Sequence, residues 1–116
     1  MDVKVILLNE NGRITDDLID YKLESEKFML VVNSATTNGG AKLIQKHLFT
    51  ETNFENISDI TAKIDLQGPK LQEILQQITP ADLSELKYFS FIETTVDNVN
   101  TVISRTGYTG ELGYEI

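Results

Sequence analysis

The groups in this chain that could do chemistry beyond folding are two adjacent acids, Asp16 and Asp17, an amide, Asn33, and a glycine-punctuated stretch carrying Tyr108, Thr109, Glu111 and Glu115. That stretch, residues 104–116, reads Ser-Arg-Thr-Gly-Tyr-Thr-Gly-Glu-Leu-Gly-Tyr-Glu-Ile and holds Gly107, Gly110 and Gly113 at intervals of three. Such spacing suits neither a helix nor an alternating strand. Glycine supplies positive φ or room for a ligand to approach the backbone, so a shaped loop is expected between Val102-Ile103 and Tyr114-Glu115-Ile116, joining two strands. A bulged hairpin without a ligand would show the same spacing. Carboxylates accept hydrogen bonds, an asparagine offers an acceptor and two donors, and a tyrosine offers a ring face and a hydroxyl.

Strands must position these groups. Val3 to Leu8 is apolar except for Lys4 and ends in Asn9-Glu10-Asn11-Gly12, which predicts a strand and a hairpin turn. Asn-Gly tolerates the two positive φ values of a type I′ turn, and with Asn11-Gly12 alone as the loop Ile6 would lie opposite Asp17. Period-two alternation puts Asp17, Ile19, Tyr21 and Leu23 on one face and Asp16, Leu18 and Asp20 on the other. Asp17 is thus expected among apolar neighbours, although a solvated acid near a sheet edge is the ordinary state of an aspartate. Burial would raise its pKa and ligand donors would lower it. Asp16 is expected to be structural or solvent-facing. A polar turn, Glu24-Ser25-Glu26, leads to a third strand over 27–33. A three-residue loop would set Asp17 opposite Asn33, whereas a two-residue loop would put them on opposite faces. Without a ligand, Asn33 is a turn residue ending its strand.

Further along, a helix is expected over about 41–49, with Ala41, Ile44 and Leu48 inward and Thr36, Thr37 or Asn38 as its cap. Residues 54–57 and the alternating 60–66 are strand candidates. Gln67-Gly68-Pro69 opens a helix whose core line is Leu71, Ile74, Leu75 and Ile78, ended by Thr79-Pro80. A helical turn at 81–86 and strands over 88–95 and 101–105, flanking Asp97-Asn98-Val99-Asn100, complete an α+β plan of six or seven strands and two helices. Residues 1–116 are expected to form a single folded unit, with any sub-boundary near 50–60.

With 116 residues the chain is long enough to bury a core without crosslinks, and it has no cysteine. Disulfides, thiolate metal sites and cysteine nucleophiles are therefore excluded, and with His47 the only histidine no histidine cluster can hold a metal. Ten basic and eighteen acidic residues give a net charge of −8, which repels phosphate backbones and anionic lipid heads, so neither nucleic acid nor membrane is an expected partner. No apolar run approaches the roughly twenty residues of a membrane span, no secretion signal opens the chain, and a cytoplasmic location is expected. Met1-Asp2 runs straight into a strand pattern and Ile116 ends within one, as expected of a piece of a longer protein.

The run Ser-Arg-Thr-Gly-Tyr-Thr-Gly-Glu-x-Gly-Tyr-Glu resembles the signature of the glycine cleavage T-protein family, the tetrahydrofolate-dependent aminomethyltransferases. Leu112 stands where that family has Asp. The segment Leu-Leu-Asn-Glu-Asn-Gly-Arg-Ile-Thr-Asp-Asp-Leu-Ile is similar to a second family segment, with Arg13 where a second glycine is usual. Val31-Val32-Asn33, Ala-Lys-Ile-Asp-Leu-Gln-Gly-Pro-Lys and the aromatic strand at 86–91 extend the likeness from Val3 to Ile116. Residues 34–40 depart from the family's usual continuation.

The resemblance implies the family's folate-binding fold, of which this would be a central fragment, and transfer of an aminomethyl group from the lipoyl arm of the H-protein to tetrahydrofolate with release of ammonia. It implies that Asp17 is the essential acid, that Asn33 and Tyr108 contact the folate, and that Glu115 recognises the pterin edge. One carboxylate can accept two parallel N–H bonds. The isolated chain is expected to fold, or nearly so, without turning over. Two related activities share these motifs: a folate domain fused to sarcosine- or dimethylglycine-oxidising flavoenzymes, and a folate-binding regulatory paralogue, which Arg13, Leu112 and the altered 34–40 segment favour.

Overall fold

Seven strands and two α-helices form among the described residues, which in this computed structural model are 2–33, 37–106 and 112–116. The strands make two antiparallel sheets, so the α+β class holds. The chain divides into two units, Val3–Ala62 and Lys63–Ile116, with Asp2, at the start of the first strand, grouped with the second.

In the first unit β1 (Asp2–Leu8), β2 (Ile14–Glu24) and β3 (Lys27–Val31) form a sheet in the order β1-β2-β3. The first hairpin forms where the sequence places it, with a different turn. The Asn9 carbonyl accepts from Gly12 N (3.0 Å) and Asn9 N donates to the Arg13 carbonyl (2.9 Å). Only Gly12 takes a positive φ, +73°, while the Asn9 side chain accepts from Asn11 N and Arg13 N at 3.0 Å each. That side-chain clamp selects a longer turn over the two-residue type I′ turn.

The second hairpin settles the register by a route the loop length alone does not reveal. Its turn is the two residues Ser25-Glu26, closing Glu24 on Lys27, yet Lys22 pairs with Phe28 because Leu23 is an extra, bulged residue. From there Asp20↔Leu30 and Ile19↔Val31 follow, the pairing that a three-residue loop would have produced. Beyond β3, helix α1 (Thr37–Lys46) starts earlier and ends earlier than the 41–49 expected, the two glycines lying within it. The expected strand at 54–57 is absent. Asn56 Oδ1 accepts from both N and Oγ of Ser58 and Thr61 Oγ1 donates to the Ile57 carbonyl (2.8 Å), so local bonds curl the chain into a single 3-10 turn, Ser58–Ile60.

In the second unit β4 (Asp65–Gln67), β5 (Phe91–Val96), β6 (Val99–Ser104) and β7 (Gly113–Glu115) make a sheet in the order β4-β7-β6-β5. The glycine-punctuated stretch therefore does join two neighbouring strands, β6 and β7. Strand β4 is shorter than the 60–66 alternation predicts, extended only by reciprocal backbone bonds between Ile64 and Ile116 (2.8 and 2.9 Å). At the other edge Phe89 has φ +57°, so β5 begins at Phe91 rather than Tyr88. The type I′ geometry appears in this hairpin: Asp97 and Asn98 have φ of +48° and +65° between paired Val96 and Val99.

Helix α2 (Leu71–Gln76) packs one line of side chains, Leu71 and Leu75, into a core with Leu83, Leu86, Ile103 and Tyr114. Ile74, expected inside, is 60 % exposed, and Ile78 is also largely exposed. The helix stops at Gln76, before Ile78, and the Gln76 side chain holds the following loop through the Ala81 carbonyl (2.7 Å) and Leu83 N (3.0 Å). The core it frames fixes β7, since Tyr114 is buried in it and donates its hydroxyl to the Leu83 carbonyl (3.3 Å).

Candidate functional site

Each unit holds one cluster of polar side chains that the sequence singles out. In Val3–Ala62 the register brings Asn33 to Asp17, sixteen residues earlier. Asn33 Nδ2 lies 2.6 Å from Asp16 Oδ1, 3.1 Å from the Asp17 carbonyl and 3.2 Å from Asp17 Oδ1. Asp16 Oδ1 also accepts from Asp17 N at 2.8 Å. Lys4 Nζ completes the group at 2.9 Å from Asp17 Oδ2.

Each acid takes one of the roles the sequence leaves open, Asp16 the structural one and Asp17 the solvated one. Asp16 is 6 % exposed, whereas the Asp17 side chain keeps 40 % of its surface in solvent. Alternation places Asp16 on the face of Leu18 and Asp17 on that of Ile19 and Tyr21, and all three apolar residues are buried, so periodicity alone does not separate the two acids. Donors decide the state of Asp17. The hydrogen bond from Lys4, then that from Asn33, and the Lys4 charge hold its carboxyl below the usual aspartate value against a small opposing effect of desolvation. Asp17 is an ionised, accessible carboxylate at neutral pH. Asp20, on the same strand, is pushed the other way by burial, and its Oδ1 has no hydrogen-bond partner among the described residues.

In Lys63–Ile116 strand alternation turns Tyr114 into the apolar core and Glu115 to the opposite face. Glu115 is 7 % exposed, and both oxygens accept from protein donors: Oε1 from Lys63 Nζ (2.9 Å) and Oε2 from Thr106 Oγ1 (2.6 Å). Thr106 is itself bonded to Ser104 Oγ (2.8 Å). Glu115 pairs directly with Asp65 across β4 and β7, and Lys63 lies 3.1 Å from Asp65 Oδ1, so one ammonium balances two facing acids. Burial works to lower the Lys63 pKa, but the bonds and charges of Glu115 and Asp65 together outweigh it and lift the ammonium above its ordinary value. Lys63, Thr106 and Ser104 were not anticipated. Lys63 has no local signal, since 52 residues separate it from Glu115.

A cleft of about 40 Å³ beside Glu115 is bordered by Thr106, Gly113 and β4. That is room for water rather than for a heterocycle, so a ligand donor reaching Glu115 must share lone pairs with Lys63 and Thr106. A carboxylate has about four such positions. Asp17 and Asn33 are accessible and fit a ligand that carries polar hydrogens or a developing positive charge. Tyr108 lies outside the described residues. Leu112, the departure from the family signature, packs against the apolar core, and its carbonyl accepts from Gly68 N (3.4 Å), so an apolar residue there has a structural reason. No group of three or more His, Cys, Asp or Glu side chains able to hold a metal occurs among the described residues, nor a helix long and apolar enough to cross a membrane.

Curated relatives agree with the motif reading. The chain is 44 % identical over 115 residues to an aminomethyltransferase of Thermotoga maritima, covering 96 % of this chain and 31 % of that protein. It is 45 % identical over 112 residues to one of Thermoanaerobacter sp., and 39 % over 110 residues to one of Desulforamulus reducens, in each case 95 % of this chain and 30 % of the relative. It thus spans about three tenths of the length of the relatives it matches. Residues 4–116 match the GCVT N-terminal domain, and the chain belongs to that family.

Proposed function

We propose that this chain serves in an aminomethyltransferase of the glycine cleavage system, one that passes the aminomethyl carbon of a lipoylated H-protein to tetrahydrofolate and releases ammonia. The observation that carries the proposal is the Asp17–Asn33 contact: a hairpin register set by a bulge brings together the acid and the amide that family resemblance selects independently. Tetrahydrofolate would supply the nucleophilic nitrogen that receives the carbon. Asp17, kept ionised by Lys4 and Asn33, would hold negative charge where positive charge develops and steer the proton that accompanies loss of ammonia. Asn33 would orient the heterocycle, Glu115 would accept from ligand N–H groups, and Tyr108 would add a folate contact. Placing nitrogen and methylene carbon together replaces a bimolecular encounter by an oriented one, an effect that reaches about 7 to 11 kcal/mol at best.

The test uses the full-length protein with aminomethylated H-protein and tetrahydrofolate, following ammonia and methylenetetrahydrofolate. Asp17→Asn should slow turnover by roughly 10² or more, the scale of a lost acid–base group, with folate binding changed much less. Wild-type protein that binds folate but transfers nothing would favour the regulatory paralogue, and one that accepts carbon only from an oxidised methylamine would favour the flavoenzyme-linked domain.

A further inference from the structure

Among the described residues three acceptors lie around the two amide hydrogens of Asn33, and the shortest of these contacts, 2.6 Å, is to Asp16 rather than to the acid singled out for chemistry. The same Asp16 oxygen accepts from the backbone N of Asp17 at 2.8 Å. One buried atom therefore ties the β2 backbone at Asp17 to a side chain of the segment after β3. The tie lies where the backbone ladder has stopped, since the last paired residues are Ile19 and Val31. A bond from an amide to an ionised acceptor is stronger than a neutral one and directional. It also fixes which way round the amide sits. Turning Asn33 over would point its oxygen at the carboxylates of Asp16 and Asp17, two groups that only accept when ionised. With its hydrogens directed at β2, the part of Asn33 turned away from the two acids is its carbonyl oxygen, whose two lone pairs let a ligand N–H be among its donors.

We propose that Asp16 is a positioning residue for the proposed site, acting through Asn33 to make it an acceptor and so to select ligands that carry an N–H donor at that place. At 6 % exposure Asp16 does not meet the ligand itself. The proposal rests on the folate reading for the identity of the ligand, but not for the contact between the two side chains.

Two measurements separate these. In the full-length protein, nuclear magnetic resonance of the Asn33 side-chain amide should show slow hydrogen exchange that becomes at least roughly tenfold faster in Asp16→Ala, as expected when a charge-assisted bond is lost. Asp16→Asn, which keeps an acceptor oxygen and the side-chain shape, should restore much of the protection. In steady-state kinetics Asp16→Ala should raise the KM for tetrahydrofolate roughly tenfold while kcat changes less than about threefold, and adding it to Asn33→Ala should cost nothing more, because both changes remove one interaction. Unchanged exchange in Asp16→Ala, or additive effects in the double variant, overturns the proposal. If Asp16→Ala is poorly folded, Asp16→Asn carries the test: exchange faster than wild type with a small KM increase supports the proposal, and exchange and KM both identical to wild type in Asp16→Asn count against it. Normal exchange behaviour with no folate activity in the wild type would defeat the functional reading alone.

Discussion

Lys63 Nζ stands 2.9 Å from Oε1 of Glu115, an acid with 7 % of its surface exposed, although the two residues come from opposite ends of their unit. A buried carboxylate without a cation and hydrogen-bond donors is costly, so this pair and the Thr106 hydroxyl are what let Glu115 occupy its place. Lys63→Met should destabilise the protein by about 1 kcal/mol, a modest figure because the lysine side chain is itself well exposed and screened. Thr106→Val, which removes a fully buried donor to a charged group, should cost about 2 kcal/mol. Urea titration of the two variants checks both values and their order.

The raised pKa of Lys63 fixes the sign of a pH effect. A lysine whose folded-state pKa lies above its ordinary 10.5 contributes stability that is fully present below that value and is lost as pH rises through the higher folded-state one. Between pH 6 and 9 the difference between wild type and Lys63→Met should be constant. It should shrink only in alkali beyond the ordinary lysine value, and a difference that vanishes near neutrality would contradict the assignment.

Asp17 behaves in the opposite sense. Its pKa is depressed, so the stabilisation from Lys4 and Asn33 is complete above the ordinary value of 3.8 and is lost as pH falls through the lower folded-state one. Carboxyl carbon resonances should therefore titrate below 3.8 for Asp17, and Lys4→Met should move that midpoint upward. An unmoved midpoint would show that the Lys4 contact has no electrostatic role.

The parts of this fold legible in the sequence are those decided by local periodicity and by steric demands of single residues. β2, the two hairpins, Gly12 and the strands flanking the glycine-rich stretch all follow from such rules. Register was legible only as a choice, because Leu23 carries nothing that marks it as the bulged residue, and the outcome of a one-residue shift is whether Asp17 faces Asn33 at all. The Asn11-Gly12 pair signals a type I′ turn until the Asn9 side chain is considered, and that side chain wins by bonding two backbone N–H groups. Asp16 and Asp17 are chemically identical in sequence and were separated only by packing. Lys63 could not be found, since contacts across 52 residues leave no period to read.

The exposed side of α2 gives a sharp test of its orientation. Leu75 is 1 % exposed and Ile74, its neighbour, 60 %. Leu75→Ala should cost about 2 to 5 kcal/mol through lost burial and the cavity left behind, and Ile74→Ala about 0.5 kcal/mol or less. Chemical denaturation of both variants checks the ratio, and equal costs would mean that both isoleucine and leucine face the core as the i, i+3, i+4 pattern first suggests.

Asp97 and Asn98 close the β5–β6 hairpin with positive φ at both positions, a conformation that costs an ordinary residue about 1 kcal/mol and glycine nothing. Asparagine falls between, because its short side chain tolerates the left-handed region. Asn98→Ala should therefore destabilise by about 1 kcal/mol and Asn98→Gly should be neutral or stabilising by a few tenths. The same argument applied to Gly12, at φ +73° with open space around it, makes Gly12→Ala a purely conformational cost of about 1 kcal/mol, with no clash to add. Because β6 pairs Ser104 with Glu115, loosening the Asp97-Asn98 turn should also increase exchange of the Glu115 backbone amide, whereas Gly12→Ala, in the other unit, should leave it unchanged. Amide exchange measured residue by residue on the two variants distinguishes a local turn effect from a general loss of stability: parallel changes at Glu115 in both would show that the two units unfold together.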